Sequence, residues 1–221
     1  QQKDLAKFRD AVLVETEPDG AVALAPAFRK ALDASVEFLD QVRELIDLAC
    51  GRHKRLYSAL YAGTNFTLGA KYTYEDVCRL LNWEKAVNAQ VIGGYFYDKA
   101  TRTLPVFINY QKAADAIQYE DRFVDPAHLI ALSKHPRQVG SSDADHFYKR
   151  TAADRDNRIY LFVRRNKDDK IAKEFYFLGE VNAQGAPVPV TIAGSGDPAF
   201  EIHYTLQSPV RDELYQFLTS D

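Results

Sequence analysis

Apolar residues recur at spacings of three and four from about residue 26 to residue 60. Phe28, Leu32, Val36, Leu39, Val42, Leu45, Ile46 and Leu48 or Ala49 share one side of a helix, and Asp33, Glu37, Asp40, Glu44 and Asp47 line the other. Gly51, the R-H-K-R run and Gly63 then interrupt the pattern, so 51–66 reads as a break, a short helix and a connector. A second helix is predicted over Thr73–Leu81. Thr73 suits an N-cap, Asp76 stands three residues on as in a capping box, and Val77, Leu80 and Leu81 form its apolar stripe. After Gly93-Gly94 the period falls to two. Strands are predicted at Tyr95–Asp98, Leu104–Tyr110, Arg158–Arg165, Glu174–Asn182, Pro187–Thr191 and Phe200–Leu206. Hairpin loops are expected at Asp98–Arg102 and Asn166–Lys170, and turns at Ala186–Pro189 and Gly194–Pro198. A last helix, Val210–Leu218, follows Pro209. The pattern predicts an α+β chain. Residues 1–65 form a helical lead-in or linker, and 66–221 a β-rich module whose small curled antiparallel sheet or barrel is capped by helices.

Length and composition add bounds. At 221 residues the chain is long enough for one medium domain with a real core. No apolar run is long enough to span a bilayer, so no membrane partner is expected. The first residues, Q-Q-K-D-L-A-K-F, lack the layout of a signal peptide, and the absence of methionine points to a domain cut from a larger protein. Cys50 and Cys78 are isolated, which fits two small apolar residues in a reducing cytoplasm. Net charge is −3, yet Lys134–Lys173 holds eleven Lys/Arg against six acids, a local +5. That asymmetry can place a positive face opposite an acidic one. Arg150, Arg155, Arg158, Arg164, Arg165 and Lys167 are the phosphate-contact candidates, against the alternative of an ordinary mixed-charge surface.

Catalytic signatures are missing. There is no phosphate loop, H-x-K box, H-E-x-x-H or G-x-S-x-G, and the five histidines lack ligand spacing. No metal site or cofactor is expected, and the chain alone is read as non-catalytic. Glu120-Asp121 beside Arg122 would need a third acid and a lysine in register to make a nuclease. Recognition chemistry is better represented between Leu68 and Phe123. Trp83 stands just past a helix, Asn88 and Gln90 precede a glycine pair, and Tyr95 and Tyr110 lie in strands. An everted base is held by an aromatic stack and read by amides or carboxylates. Trp83, Asn88, Gln90, Tyr95, Tyr110, Glu120 and Asp121 are therefore the base-pocket candidates. Core packing is the competing role for the rings, and a salt bridge or cap for the acids.

These motifs also carry a family resemblance. L-G-A-K-Y-T, E-D-V-C-R-L-L-N-W, N-A-Q-V-I-G-G-Y, F-I-N-Y, Y-E-D-R-F and F-Y-F-L-G-E-V, spread over Asn65–Leu218, resemble a bacterial domain of unknown function. That domain lies at the C-terminal end of defence-type superfamily-two helicases, often with a phospholipase-D-like nuclease at the other end. The resemblance implies DNA as partner, helicase and nuclease domains in the same protein, and a restriction or phage-defence setting. It supplies no catalytic residues. By its strand pattern the module is comparable to the small barrel readers of modified bases, of the PUA and SRA kind. Two functions are expected from this reading: a DNA-binding module directing a helicase–nuclease, or a protein-interaction or dimerisation module of such a complex.

Overall fold

The structure, a computed structural model, describes residues 13–84, 92, 94–111, 121–166 and 173–220. A short hairpin that the pattern did not anticipate, β1 (Val14–Thr16) and β2 (Val22–Leu24), precedes the helices. The long helical stretch is two helices, α1 (Pro26–Ala34) and α2 (Val36–Leu56). Ser35 separates them. Its extended backbone ends α1, and its hydroxyl accepts a hydrogen bond from the Phe38 amide at 3.2 Å to cap α2. After β3 (Lys71–Tyr72), α3 (Tyr74–Leu80) starts with the capping box expected: Thr73 Oγ1 accepts from the Asp76 amide, and Asp76 from the Thr73 amide.

The main sheet comprises β4 (Thr103–Gln111), β5 (Arg122–Asp125), β6 (His128–Leu132), β7 (Arg158–Asn166), β8 (Phe175–Thr191) and β9 (Pro198–Leu206). Its order is β4-β7-β8-β9-β6-β5, with β3 on β8. Two helices, α4 (Ser142–Tyr148) and α5 (Asp212–Thr219), complete the chain. The result is the curled α+β architecture expected, with one difference: β4 pairs β7 in parallel while the other pairs are antiparallel. The chain leaves β4, builds β5, β6 and α4, and returns beside it, a crossover rather than a hairpin. Tyr95–Asp98 is not a strand but two single bridges, Tyr95 to Val106 and Asp98 to Thr103. The two strands expected at 174–182 and 187–191 are one strand, β8, and the expected Ala186–Pro189 turn falls at the register shift between Gln184 and Val188 within it.

Strand alternation generates two cores. On β7, Ile159, Leu161 and Val163 face a mainly aliphatic core with Leu104, Val106 and Ile108 of β4, and α4 adds Phe147. The other face presents Tyr160 and Phe162 to an aromatic core with Phe107, Phe175, Phe177, Phe66 and Trp83. Phe66 sits at its centre, with ring centroids 4.9 Å from Phe177, 5.1 Å from Tyr72 and 5.4 Å from Phe162. A bulge between Leu161 and Phe162 lets β8 bend around this cluster. Gly179 lies there at φ +104, where a Cβ would come within 3.2 Å of Leu68.

The segment from α4 to β7 is fastened by a buried carboxylate. Asp154, 3% exposed, accepts from His146 Nδ1 at 2.6 Å, from Asn157 Nδ2 at 3.0 Å and from Thr151 Oγ1. The His146 ring stacks on Tyr97 at 3.9 Å, and Tyr97 donates to Asn157 Oδ1. Burial raises the Asp154 pKa, but these three donors outweigh it and hold the carboxyl below its ordinary value. A carboxyl lowered in the folded state stabilises above its unfolded pKa and ceases to do so as pH falls through the lowered value. Asp154→Asn is expected to reduce stability to denaturant at neutral pH. The gap from the unaltered chain should close only below about pH 4. Urea midpoints across a pH series check this, and a gap that shrinks between pH 7 and 5 contradicts it.

Candidate nucleic-acid interface

The two ends of the curled sheet approach each other without forming a ladder. The start of β4's free edge is covered by residues 94–98, with Phe107 N donating to Gly94 O at 2.6 Å. Beyond that, side chains bridge the seam. Tyr95 Oη accepts from the Lys134 amide at 3.2 Å, and Tyr110 Oη from the Phe123 amide at 3.4 Å. On the far side Asp121 Oδ1 accepts from the Leu132 amide at 3.0 Å. Between these contacts lies a cleft of about 250 Å³, lined by Tyr95, Phe107, Asn109, Asp121, Ser133 and Lys134 among others. Its size suits one heterocycle better than a drug-sized ligand, which needs about 300–1,000 Å³.

The cleft carries three kinds of polar group. Asp121 is an acceptor oriented by a backbone amide. Asn109 Oδ1 accepts from Arg164 Nε at 2.5 Å, which fixes the orientation of its amide. The Lys134 ammonium rests 4.9 Å from the Tyr95 ring centroid. Burial lowers the Lys134 pKa, opposed by Asp143 and assisted by Arg137. Tyr95 donates to Asp143 Oδ2 at 2.6 Å, and Arg137 Nε donates to the same oxygen at 2.9 Å. Burial first, then the Asp143 hydrogen bond, push the Tyr95 hydroxyl far above the ordinary tyrosine range, so it stays protonated.

Of the base-pocket candidates, the structure brings Tyr95 and Asp121 to this cleft and sets Tyr110 at the same seam. Trp83 is elsewhere. It is 1% exposed in the aromatic core, where Nε1 donates to Thr103 Oγ1 at 2.8 Å, and it does not line the cleft. That enclosure removes it as a stacking platform. Asn88, Gln90 and Glu120 lie outside the described residues. Arg122, the expected partner of the acid pair, reaches Glu201 at 3.8 Å. Asn109, Lys134 and Asp143 were not among the candidates. Asn109 stood in the F-I-N-Y motif and Lys134 opened the basic segment, whereas nothing in the local sequence marked Asp143.

Among the described residues the phosphate-contact candidates do not all share one face. Arg164 and Arg165 are consecutive on β7 and so point to opposite faces. Arg164 lies over the Phe175 ring, and Arg165 over Phe217 with a bond to Ser220 O at 2.9 Å. Arg158 is committed to Glu180, at 3.1 Å from Nε and 2.9 Å from Nη2, and also reaches the Ala62 and Gly63 carbonyls. Arg150 bonds Val139 O at 2.6 Å, and Arg155 is exposed in the 151–156 loop. Lys167 lies outside the described residues. Among the described residues no group of three or more His, Cys, Asp or Glu converges as a metal site, and no helix is long and apolar enough to cross a membrane.

The chain belongs to the family described as Domain of unknown function (DUF3427), which matches residues 66–218. No curated protein matches it. It is similar to KRYPTONITE solved in complex with mCHG DNA and SAH, with a TM-score of 0.45 and 10% identity over 83% of this chain and 39% of that one. It is similar to the DNA modification-dependent restriction endonuclease AspBHI, at 0.43 and 11% over 65% and 42%. A third likeness is to the SUVH5 SRA complex with fully methylated CG DNA, at 0.42 and 12% over 69% and 95%. The chain thus spans about two fifths of the KRYPTONITE and AspBHI chains. With TM-scores under 0.5, these likenesses decide no function for it.

Two substitutions separate core from interface. Trp83→Ala is expected to cost about 3–5 kcal/mol of stability, as a large core ring cut to a methyl group does. Arg158→Ala should cost about 1–3 kcal/mol by leaving Glu180 half-buried without its fork, and should leave the salt dependence of duplex binding unchanged. Denaturant melts and binding isotherms at several salt concentrations measure both. A flatter salt slope for Arg158→Ala returns that residue to the phosphate contacts.

Proposed function

We propose that this chain is a non-catalytic DNA-binding module that takes an everted base into the seam cleft and directs a helicase–nuclease of a restriction or phage-defence system. One observation carries the reading: a heterocycle-sized cleft at a sheet edge combines an oriented carboxylate, a fixed amide and an ammonium over aromatic walls. A carboxylate accepts from the exocyclic amine of cytosine, and an amide pairs with base edges. The Lys134 ammonium suits the phosphate of a strand whose base has turned inward. The helicase and nuclease context comes from the resemblance of the quoted motifs. Absence of a phosphate loop and of a recognised nuclease box in the sequence supports the non-catalytic part. A second reading, an interaction or dimerisation module, is favoured by a separate observation, the exposed apolar face of α2. The two are compatible.

Binding to unmodified, methylated, hydroxymethylated and glucosylated duplexes identifies the preferred one. Asp121→Asn is then expected to weaken that duplex by about five- to hundredfold, the equivalent of about 1–3 kcal/mol, and to leave the others nearly unchanged. Lys134→Ala should weaken all duplexes alike and reduce the salt slope by about one. If Asp121→Asn keeps the full preference, the cleft does not read the base. Purified chain is expected neither to nick plasmid nor to hydrolyse ATP, and metal-dependent nicking abolished by Asp121→Asn would reverse that assignment.

A further inference from the structure

Asn109 on β4 and Arg164 on β7 are register partners in the parallel pair. Both are half-buried, on the sheet face that also carries Phe107 and Phe162. β4 has β7 on one side, and its other edge is the seam, where Asn109 lines the cleft. Asn109 thus stands between a guanidinium and the cleft.

The guanidinium decides which end of the amide goes where. Arginine carries donors and no acceptor, so Arg164 Nε takes the oxygen, Oδ1, at 2.5 Å. Reversing the amide would set N–H against N–H. The two ends of an amide diverge from one carbon, so an oxygen held toward β7 leaves Nδ2 turned toward the free edge. A bond from a charged donor is roughly twice as strong as a neutral one, which makes this orientation firm.

Arg164 is itself held in place. Its guanidinium carbon lies 4.4 Å from the Phe175 ring centroid. Tyr74 packs on Phe175 at 5.0 Å and on Phe107, a wall of the cleft, at 4.4 Å. Burial raises the Tyr74 pKa and the Arg164 charge opposes it, so the cation lies close to that ring too. A planar guanidinium stacked on a ring keeps one orientation where a flexible ammonium does not.

We infer that Arg164 is a positioning residue for the cleft: through Asn109 it makes the β4 side a hydrogen-bond donor, so a base admitted there must present an acceptor, a ring nitrogen or a carbonyl oxygen, on that side. The inference rests on the reading of the cleft as a base pocket. Asp121 supplies an acceptor from the far side of the seam, so the cleft asks for one donor and one acceptor on the same base.

The preferred duplex from the modification panel serves as the probe. Asn109→Asp keeps the Arg164 partner, because a carboxylate accepts from the same guanidinium, but replaces the donor with an acceptor. It should retain the thermal midpoint and lose about ten- to hundredfold in affinity for that duplex. Arg164→Met releases the amide and should lose about three- to tenfold, on that duplex only and at an unchanged salt slope. Heteronuclear NMR reads the step between: the Asn109 side-chain amide signals shift when the preferred duplex is added to the unaltered chain, and not in Arg164→Met. Where Arg164→Met lowers the thermal midpoint, Asn109→Asp decides alone. Equal weakening on all duplexes with a flatter salt slope makes Arg164 a phosphate contact and overturns the inference. So does full preference in Asn109→Asp and Arg164→Met while Asp121→Asn loses it, because the cleft then reads the base without this amide. If Asp121→Asn keeps the preference as well, the base-pocket reading has failed and the inference falls with it.

Discussion

The architecture turns on a sheet that curls almost shut without its last ladder. Strands closing a barrel must match tilt and register, and a sheet that fails to close keeps two edges of unpaired backbone groups. Here β4 is joined to β7 in parallel, and its other edge faces β5 and β6 across a gap. The amides of Phe123, Leu132 and Lys134 are answered by side chains, those of Tyr110, Asp121 and Tyr95. Buried backbone groups demand such partners, so the seam had to collect polar side chains. The same residues give the cleft its chemistry. A structural requirement and a recognition surface therefore coincide at one place.

The rest of the sheet makes that gap tolerable. β7 and the first half of β8 are covered on both faces, one by aliphatic residues and one by rings. With Phe162, Phe177 and Leu161 fully enclosed, stability is concentrated mid-sheet, where the apolar area lost to water is greatest. The edge strands, β4 at one end and β5 at the other, leave the backbone groups that side chains answer. Recognition sites need polar groups held at partly open positions, and a strong centre allows the edges to supply them.

Much of this was legible in the residues. Apolar and aromatic runs marked β4 and β7, whose two faces each meet a core, and alternation marked β9, each nearly to its ends. Capping chemistry marked α3, since the Thr73 and Asp76 pair is local. What escaped depends on distant partners. β6 has no alternation in H-L-I-A-L, and Tyr95–Asp98 alternates yet makes only two single bridges, both to β4, among the described residues. Ser35 was hidden inside a continuous apolar pattern that a one-residue break does not disturb. The cleft was half legible. Tyr95 and Asp121 carried chemistry in plain sight, but Lys134 and Asn109 join them only once β4 and β6 are brought edge to edge.

The arginines show why counting charge along a chain misplaces a binding surface. Lys134–Lys173 looks like one positive segment because its bases are close in sequence. A strand sends neighbours to opposite faces, so Arg164 and Arg165 part company at once. Arg158 then folds onto Glu180 to hold the residues before β3 against β8, and Arg150 reaches back to Val139. Each guanidinium is drawn to the nearest acceptor that folding leaves half-buried, because an unpaired carbonyl or carboxylate there costs more than a solvated charge gains. Lys134 takes a different course. Its ammonium lies on the Tyr95 ring, with Asp143 and Arg137 close enough to shift its pKa. Position at the seam, rather than membership of a basic run, is what gives that one cation its access to the cleft.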